Sequence, residues 1–313
     1  MNRQQTTDSV LMVRPVRFGF NPQTALTNSF QSSISNLSAN QVQDLALLEF
    51  DNFVRLLKEH QINVVVWEDT PYPHTPDSIF PNNWISTHQN GTVATYPMKT
   101  ANRRAERNED IIRFLSDTHQ FNINKREHFE DSEITETILE GTGSLVLDRV
   151  HRVAYAAVSE RTHPKLVMEW VQRMQYKHAV LFTAYDLKGE IYHTNVVMCI
   201  GNSFAVLGSQ SIADDRERKR VIHELENTGH EVIEVSNEQL LQHYAGNMLQ
   251  LHNQNGENIL VLSQQAYDSL DFRQIKSLQR HNDIILPIPI HIIETIGGGS
   301  VRCMLCEIFL PKP

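Results

Sequence analysis

The sequence predicts an α/β fold of propeller type, built from five repeated ββαβ units around a central axis. Three observations carry this. First, the succession helix, strand, polar or glycine-rich loop, hairpin recurs about five times along the 313 residues. Second, taking Asn83, Gly143, Asn195, Asn247 and Gly299 as loop markers, the intervals are 60, 52, 52 and 52 residues. Third, Asn90-Gly91, Gly201-Asn202 and Asn255-Gly256 are tight-turn signals between strand-like runs. A fixed period of this length is to be weighed before any two-domain division. A small sheet with one helix cannot close its own core. Five such units in a ring can, and their loops then converge at one end of the axis. The alternative is a doubly wound sheet with irregular insertions; near-equal spacing favours the ring. Residues 1–313 are read as a single domain.

The elements follow in order. Leu11 to Pro15 reads as a short strand, ended by the proline, and a Ser/Asn/Gln-rich loop runs to about Asn40. Val42, Leu45, Leu48, Phe53, Leu56 and Leu57 then fall on helical spacing, with Ser38 or Asn40 as N-cap. Ile62 to Trp67 is a strand, followed by a proline-rich loop ending in Phe80-Pro81-Asn82-Asn83-Trp84 and a hairpin from Ile85 to Tyr96. A helical stretch, Arg104 to Ser116, leads to Glu140-Gly141-Thr142-Gly143-Ser144 and a hairpin from Leu145 to Ala156. Helix Pro164 to Tyr176 and strand Ala179 to Phe182 precede His193-Thr194-Asn195 and the hairpin Val196 to Leu207. Helix Asp214 to Gly229 and strand Glu231 to Val235 precede Ala245-Gly246-Asn247 and the hairpin Met248 to Leu262. A last helix, about Tyr267 to Arg280, and strand Asp283 to Pro287 lead to Gly297-Gly298-Gly299. That triplet suits neither helix nor strand. A terminal strand containing Cys303 and Cys306 follows, its alternation placing the two thiols on opposite faces.

Composition narrows the function. The net charge of −9 argues against nucleic acid, which needs a concentrated basic face. The densest basic run, Arg103-Arg104-Ala105-Glu106-Arg107, reads as a solvated helix start. Three cysteines make no disulfide framework and no zinc spacing, and the 15 histidines show no metal-binding pattern, so neither metal nor cofactor is expected. The stretch Met1 to Ser9 is polar with no apolar h-region, and no later apolar run approaches spanning length, so a cytoplasmic protein without membrane partner is expected. Homo-oligomerisation is left open.

If the loops converge, they assemble Phe80, Asn82, Asn83, Glu140, His193, Asn195, Asn247 and Cys303. A thiol, an imidazole and a carboxylate are the parts of a nucleophilic site. Each has a plain alternative: a small buried thiol, a satisfied histidine, a strand-end acid, turn asparagines. Their equivalent places in successive units favour the joint reading.

Glu140-Gly-Thr-Gly, His193-Thr-Asn and Gly-Gly-Gly-Ser-Val-Arg-Cys303 resemble the three catalytic motifs of the guanidino-group-modifying (amidinotransferase, or pentein) superfamily, from about Val13 to the C-terminus. The resemblance implies a five-bladed α/β propeller, with Cys303 as nucleophile, His193 as general acid/base and Glu140 as its carboxylate partner. Where arginine-processing members carry two aspartates for the guanidinium, this chain has Asn83 and Asn195. A carboxylate pair suits a planar cation; a neutral amide pair, with donor and acceptor, suits a ureido group. The Phe-Pro-Asn-Asn-Trp motif resembles the citrulline utilisation hydrolase branch. A small amino-acid substrate, citrulline, is therefore expected, cleaved to ornithine, ammonia and carbon dioxide through an S-carbamoyl-cysteine. Arginine or dimethylarginine deiminase, amidinotransferase and a non-catalytic propeller binding module are the rivals. Arg302 is a candidate for the substrate α-carboxylate, with a bond to a loop carbonyl as its alternative. Asp77 is a candidate for an ammonium group, with turn capping as its alternative.

Overall fold

A computed structural model describes residues 3–313; Met1 and Asn2, the start of the polar N-terminal stretch, lie outside the described residues. The strands are β1 (Ser9–Arg14), β2 (Asn63–Glu68), β3 (Ile85–Thr87), β4 (Thr92–Thr95), β5 (Lys125–His128), β6 (Val146–Asp148), β7 (Val153–Ala157) and β8 (His178–Phe182). The chain continues with β9 (Met198–Ile200), β10 (Phe204–Leu207), β11 (Glu231–Glu234), β12 (Leu249–His252), β13 (Asn258–Ser263), β14 (Ile284–Ile288) and β15 (Cys306–Glu307). They form five three-stranded sheets: β15-β1-β2, β3-β4-β5, β6-β7-β8, β9-β10-β11 and β12-β13-β14. In every sheet the first pair is antiparallel and the second parallel. A parallel neighbour requires a crossover, and helical segments lie in each one, among them Ala39–Glu59, Glu109–Arg113, Pro164–Arg173, Asp215–Asn227 and Phe272–His281. The ββαβ unit is thus repeated, with one difference. The chain ends share a sheet, β15 pairing with β1 through Val10↔Glu307 and Leu11↔Cys306.

Local chemistry accounts for most boundaries. Ser38 caps helix Ala39–Glu59 in a reciprocal box with Gln41. Its buried stripe is Val42, Ala46, Phe50, Phe53 and Leu57, whereas Leu48, expected inside, is exposed. Gly91 and Gly256 adopt the left-handed conformation at the expected hairpin turns. The cores lie between sheets and helices: Val180, Phe182, Val206, Val221, Leu225 and Leu260 belong to one cluster drawn from three sheets and a helix.

One strand goes beyond the sequence reading, and three expectations are corrected. Strand β5, Lys-Arg-Glu-His, lacks an apolar alternation; it pairs parallel to β4 and is held at its rim by Arg126–Glu109 and Arg173–Glu127 contacts. The stretch expected as helix Arg104 to Ser116 is broken into Ala101–Arg104 and Glu109–Arg113. Gly297 closes a helix, His291–Gly297, instead of standing outside regular structure. Cys303 lies in a single 3-10 turn, Val301–Met304, and only Cys306 is in the terminal strand, so strand alternation does not relate the two thiols. No helix among the described residues is long and apolar enough to cross a membrane.

Candidate active site

Each of the five loops precedes the first strand of a sheet, and four of them coil into one short turn just before it: Pro81–Asn83, Gly141–Ser144, Thr194–Val197 and Val301–Met304. The loops touch in sequence. Thr142 Oγ1 donates to Asn82 O (3.2 Å), Thr194 Oγ1 to Ser144 O (2.6 Å) and Asn247 Nδ2 to Asn195 O (2.8 Å), while Asn247 Oδ1 accepts from Arg302 N (3.0 Å). Phe80 then packs on Gly297 and Gly299, returning to the first loop. Asn83, His193 and Cys303 line one narrow cavity with Phe80, Asp77 and Tyr192.

Two close approaches require glycine. A methyl group on Gly143 would sit 2.8 Å from the His193 ring and closer still to the Asn83 amide. Gly298, with φ +64°, ends the helix His291–Gly297 in the left-handed region. Its carbonyl accepts from Tyr192 Oη (2.6 Å) and Asn28 Nδ2 (3.1 Å). Glu49 accepts from Ile292 N (2.9 Å) and Ile293 N (3.0 Å) at the other end of that helix. The helix that leads into the turn carrying Cys303 is therefore anchored at both ends.

Glu140 is fully buried and accepts from Lys99 N (2.9 Å) and His193 Nε2 (2.8 Å). Burial works to raise its pKa, but Arg161 (3.5 Å), the His193 bond and Arg103 (3.9 Å) outweigh it and hold the carboxyl below the ordinary range. Burial pushes His193 down to about 4 despite the Glu140 bond. His193 is thus a neutral imidazole near pH 7, with Nδ1 left free by the Glu140 contact. Burial also raises the Cys303 thiol, against hydrogen bonds from Ser300, Asn247 and Asn195. Asn195 Nδ2 and Asn247 Nδ2 each lie 3.4 Å from Sγ. The resting pair is thus neutral near pH 7, and His193 is set up as a base.

The other expected residues divide. Phe80 and Asp77 line the cavity, Asp77 accepting from Asn21 Nδ2 (2.6 Å) and Thr24 Oγ1 (3.2 Å) of the loop that follows β1. Asn82 is buried and is not among the residues lining the cavity; its backbone carbonyl accepts from Thr142 Oγ1, and both polar atoms of its side chain are without partners among the described residues. Arg302 is corrected: its guanidinium donates to Leu305 O (2.8 Å) and pairs with Glu307 (2.7 Å), beside a separate cavity lined by Gln5 and Cys199.

Sequence reasoning missed Arg103 and Arg161. Arg103, placed in a solvated helix start, is 3% exposed and reaches Asn83, Glu106 and Phe80. Glu106 faces it, burial raising its carboxyl against the pull of the Arg103 guanidinium. Arg161 packs over the Tyr192 ring and donates to Thr27 Oγ1 (2.7 Å). The i, i+3 spacing of Arg103 and Glu106 was the one local signal, and it is equally common on solvated helices.

Comparison with known proteins agrees with this architecture. The crystal structure of apo ArgZ, described as an arginine dihydrolase from the ornithine-ammonia cycle in cyanobacteria, superposes with a TM-score of 0.74 at 15% identity. The match covers 97% of this chain and 41% of that one, so this chain spans about two fifths of full-length ArgZ. The N-terminal domain of ArgZ bound to product gives 0.72 at 16% identity, covering 97% and 99%. A dimethylarginine dimethylaminohydrolase adduct with 4-chloro-2-hydroxymethylpyridine gives 0.65 at 14%, covering 97% and 100%. No curated protein matches this sequence. A family profile described as "N,N dimethylarginine dimethylhydrolase, eukaryotic" matches residues 14–310. By that match over nearly its whole length, the chain belongs to this family, within the guanidino-group-modifying pentein superfamily.

Proposed function

We propose that the chain is a cysteine-dependent hydrolase of the ureido carbon of citrulline, acting as one catalytic domain over residues 1–313. Beside the unpartnered Asp77 Oδ1 and Asn82 side-chain amide, the observation that carries the substrate assignment is two further buried amide atoms without partners among the described residues, Asn83 Nδ2 and Asn195 Oδ1. One is a donor and the other an acceptor. A ureido group offers the converse, a carbonyl oxygen and N–H groups. The buried guanidinium of Arg103 beside Asn83 further disfavours a substrate cation. The repeated sheet order and the closed sequence of loop contacts support a five-bladed ring, with this site at one end of its axis.

In this scheme His193 Nδ1 takes the Cys303 proton as sulfur attacks the ureido carbon. Glu140 stabilises the imidazolium that forms, and Asn83 Nδ2 stays on the oxygen as charge builds there. The imidazolium passes its proton to the leaving nitrogen, ornithine departs, and Cys303 carries a carbamoyl group. Neutral His193 then activates water; carbamate leaves and decomposes to ammonia and carbon dioxide. Every group used is a side chain of this chain or water. Arg161, which lines the cavity with its Nε unpartnered among the described residues, supplies positive charge for an α-carboxylate.

The test measures ammonia release from citrulline and arginine and dimethylamine release from dimethylarginine, in parallel with purified protein and with C303A as the blank. Turnover of citrulline alone, absent in C303A, is expected. Preferential turnover of dimethylarginine, the substrate in the family's description, would move the assignment there.

A further inference from the structure

Arg103 approaches the site from the short helix Ala101–Arg104 with its guanidinium buried. Nε and Nη2 hold the two Glu106 oxygens in a fork, each at 2.9 Å, and Nη2 also reaches Phe80 O at 3.2 Å. Asp77 and Glu140 lie farther off, at 4.0 and 3.9 Å. Nη1 donates to Asn83 Oδ1 at 2.8 Å. A guanidinium has donors only, so the Asn83 amide must turn its oxygen toward Arg103 and present its NH2 at the other end. That NH2 lies beside the His193 ring across Gly143. Swinging Arg103 away would leave Glu106 buried without its partner, so the amide cannot flip cheaply.

We propose that Arg103 is a specificity-determining positioning residue: it fixes Asn83 as a donor and so selects a ureido oxygen over a guanidinium nitrogen. This rests on the ureido reading above. Its consequence is an asymmetry between the two asparagines. A carboxylate at position 83 would face Arg103 and form an internal ion pair, leaving no charge for a substrate cation. A carboxylate at position 195 would have no such partner, since Asn195 bonds Cys303 Sγ and its Oδ1 is unpaired. Exchanging both asparagines for aspartates therefore does not simply rebuild a guanidinium site.

Binding is measured by calorimetry in the C303A protein, which cannot turn over, and in C303A carrying N83D, N195D or R103K, with folding checked by circular dichroism. The parent is expected to bind citrulline in preference to arginine. N83D should weaken citrulline at least tenfold and leave arginine binding within threefold of the parent. N195D should strengthen arginine binding at least tenfold. A tenfold gain for arginine in N83D overturns the proposal while leaving the ureido reading intact. R103K keeps the charge but loses the fork, and should weaken citrulline about tenfold; unchanged citrulline binding there also overturns it. A parent that prefers arginine refutes both readings together.

Discussion

Glu140→Gln is the perturbation that separates a catalytic carboxylate from a structural one. The carboxamide is isosteric but has one acceptor where Glu140 uses two. It meets four donors: Lys99 N at 2.9 Å, His193 Nε2 at 2.8 Å, Arg161 Nη1 at 3.5 Å and Arg103 Nη1 at 3.9 Å. Three of the four lie on the Oε2 side, so the amide oxygen should turn there and its NH2 should face Lys99 N. Leaving that buried N–H unpaired costs about 1–3 kcal/mol of stability. The bond to the transient imidazolium falls from a charged class, about 1.5–3 kcal/mol, to a neutral one, about 0.5–1.5 kcal/mol. That difference alone slows the reaction roughly tenfold, at about 1.4 kcal/mol per decade. Two buried arginines lose their shared anion as well, disfavouring any new positive charge on His193, which burial already holds down to about 4. The expected result is a fall in kcat of about 10²–10³ with little change in KM, measured by ammonia release under saturating citrulline. If kcat stays within threefold of the parent while the protein remains folded, Glu140 does not act on His193 as argued.

Two further predictions concern packing and pH. Gly143→Ala should reduce activity about a hundredfold while costing at most about 1–3 kcal/mol of stability, because the methyl group displaces the Asn83 amide and the His193 ring; denaturant unfolding beside steady-state rates checks this. Glu294, buried against Ser300 and Gln265, is raised to about 7 by burial. Its folded value lies above the ordinary ~4.3, so its contribution is fully present below pH ~4.3 and lost as pH rises through about 7. Stability measured from pH 5 to 8 should fall less steeply in Glu294→Gln than in the parent, by a difference on the order of 2–3 kcal/mol; parallel curves would contradict this.

Much of the architecture was legible because it is written in local rules. Turn glycines, helix caps and apolar runs locate most strands and the longer helices, and equal loop spacing exposes the repetition. Strand β5 escaped because a rim strand stabilised by ion pairs carries no apolar period. Leu48 was misplaced because a helical pattern of leucines does not say which edge of the stripe meets the sheet. Arg302 misled through adjacency. Neighbours in a helical turn point to different sides, and its guanidinium is consumed by Leu305 and Glu307.

What the sequence offered by itself was a candidate set: a thiol, an imidazole, a carboxylate and several asparagines, each at a recurring loop position. Side-chain chemistry and spacing are enough for that, and the resemblance to a known superfamily singles out two of the asparagines. Only the tertiary structure decided the protonation of the set and the orientation of the amides. Burial leaves His193 and Cys303 neutral, two arginines keep Glu140 ionised, and Arg103, 20 residues from Asn83 in the chain, turns its oxygen away from the ring of His193. These are consequences of desolvation and of donor–acceptor geometry among groups distant in sequence. No local pattern contains them.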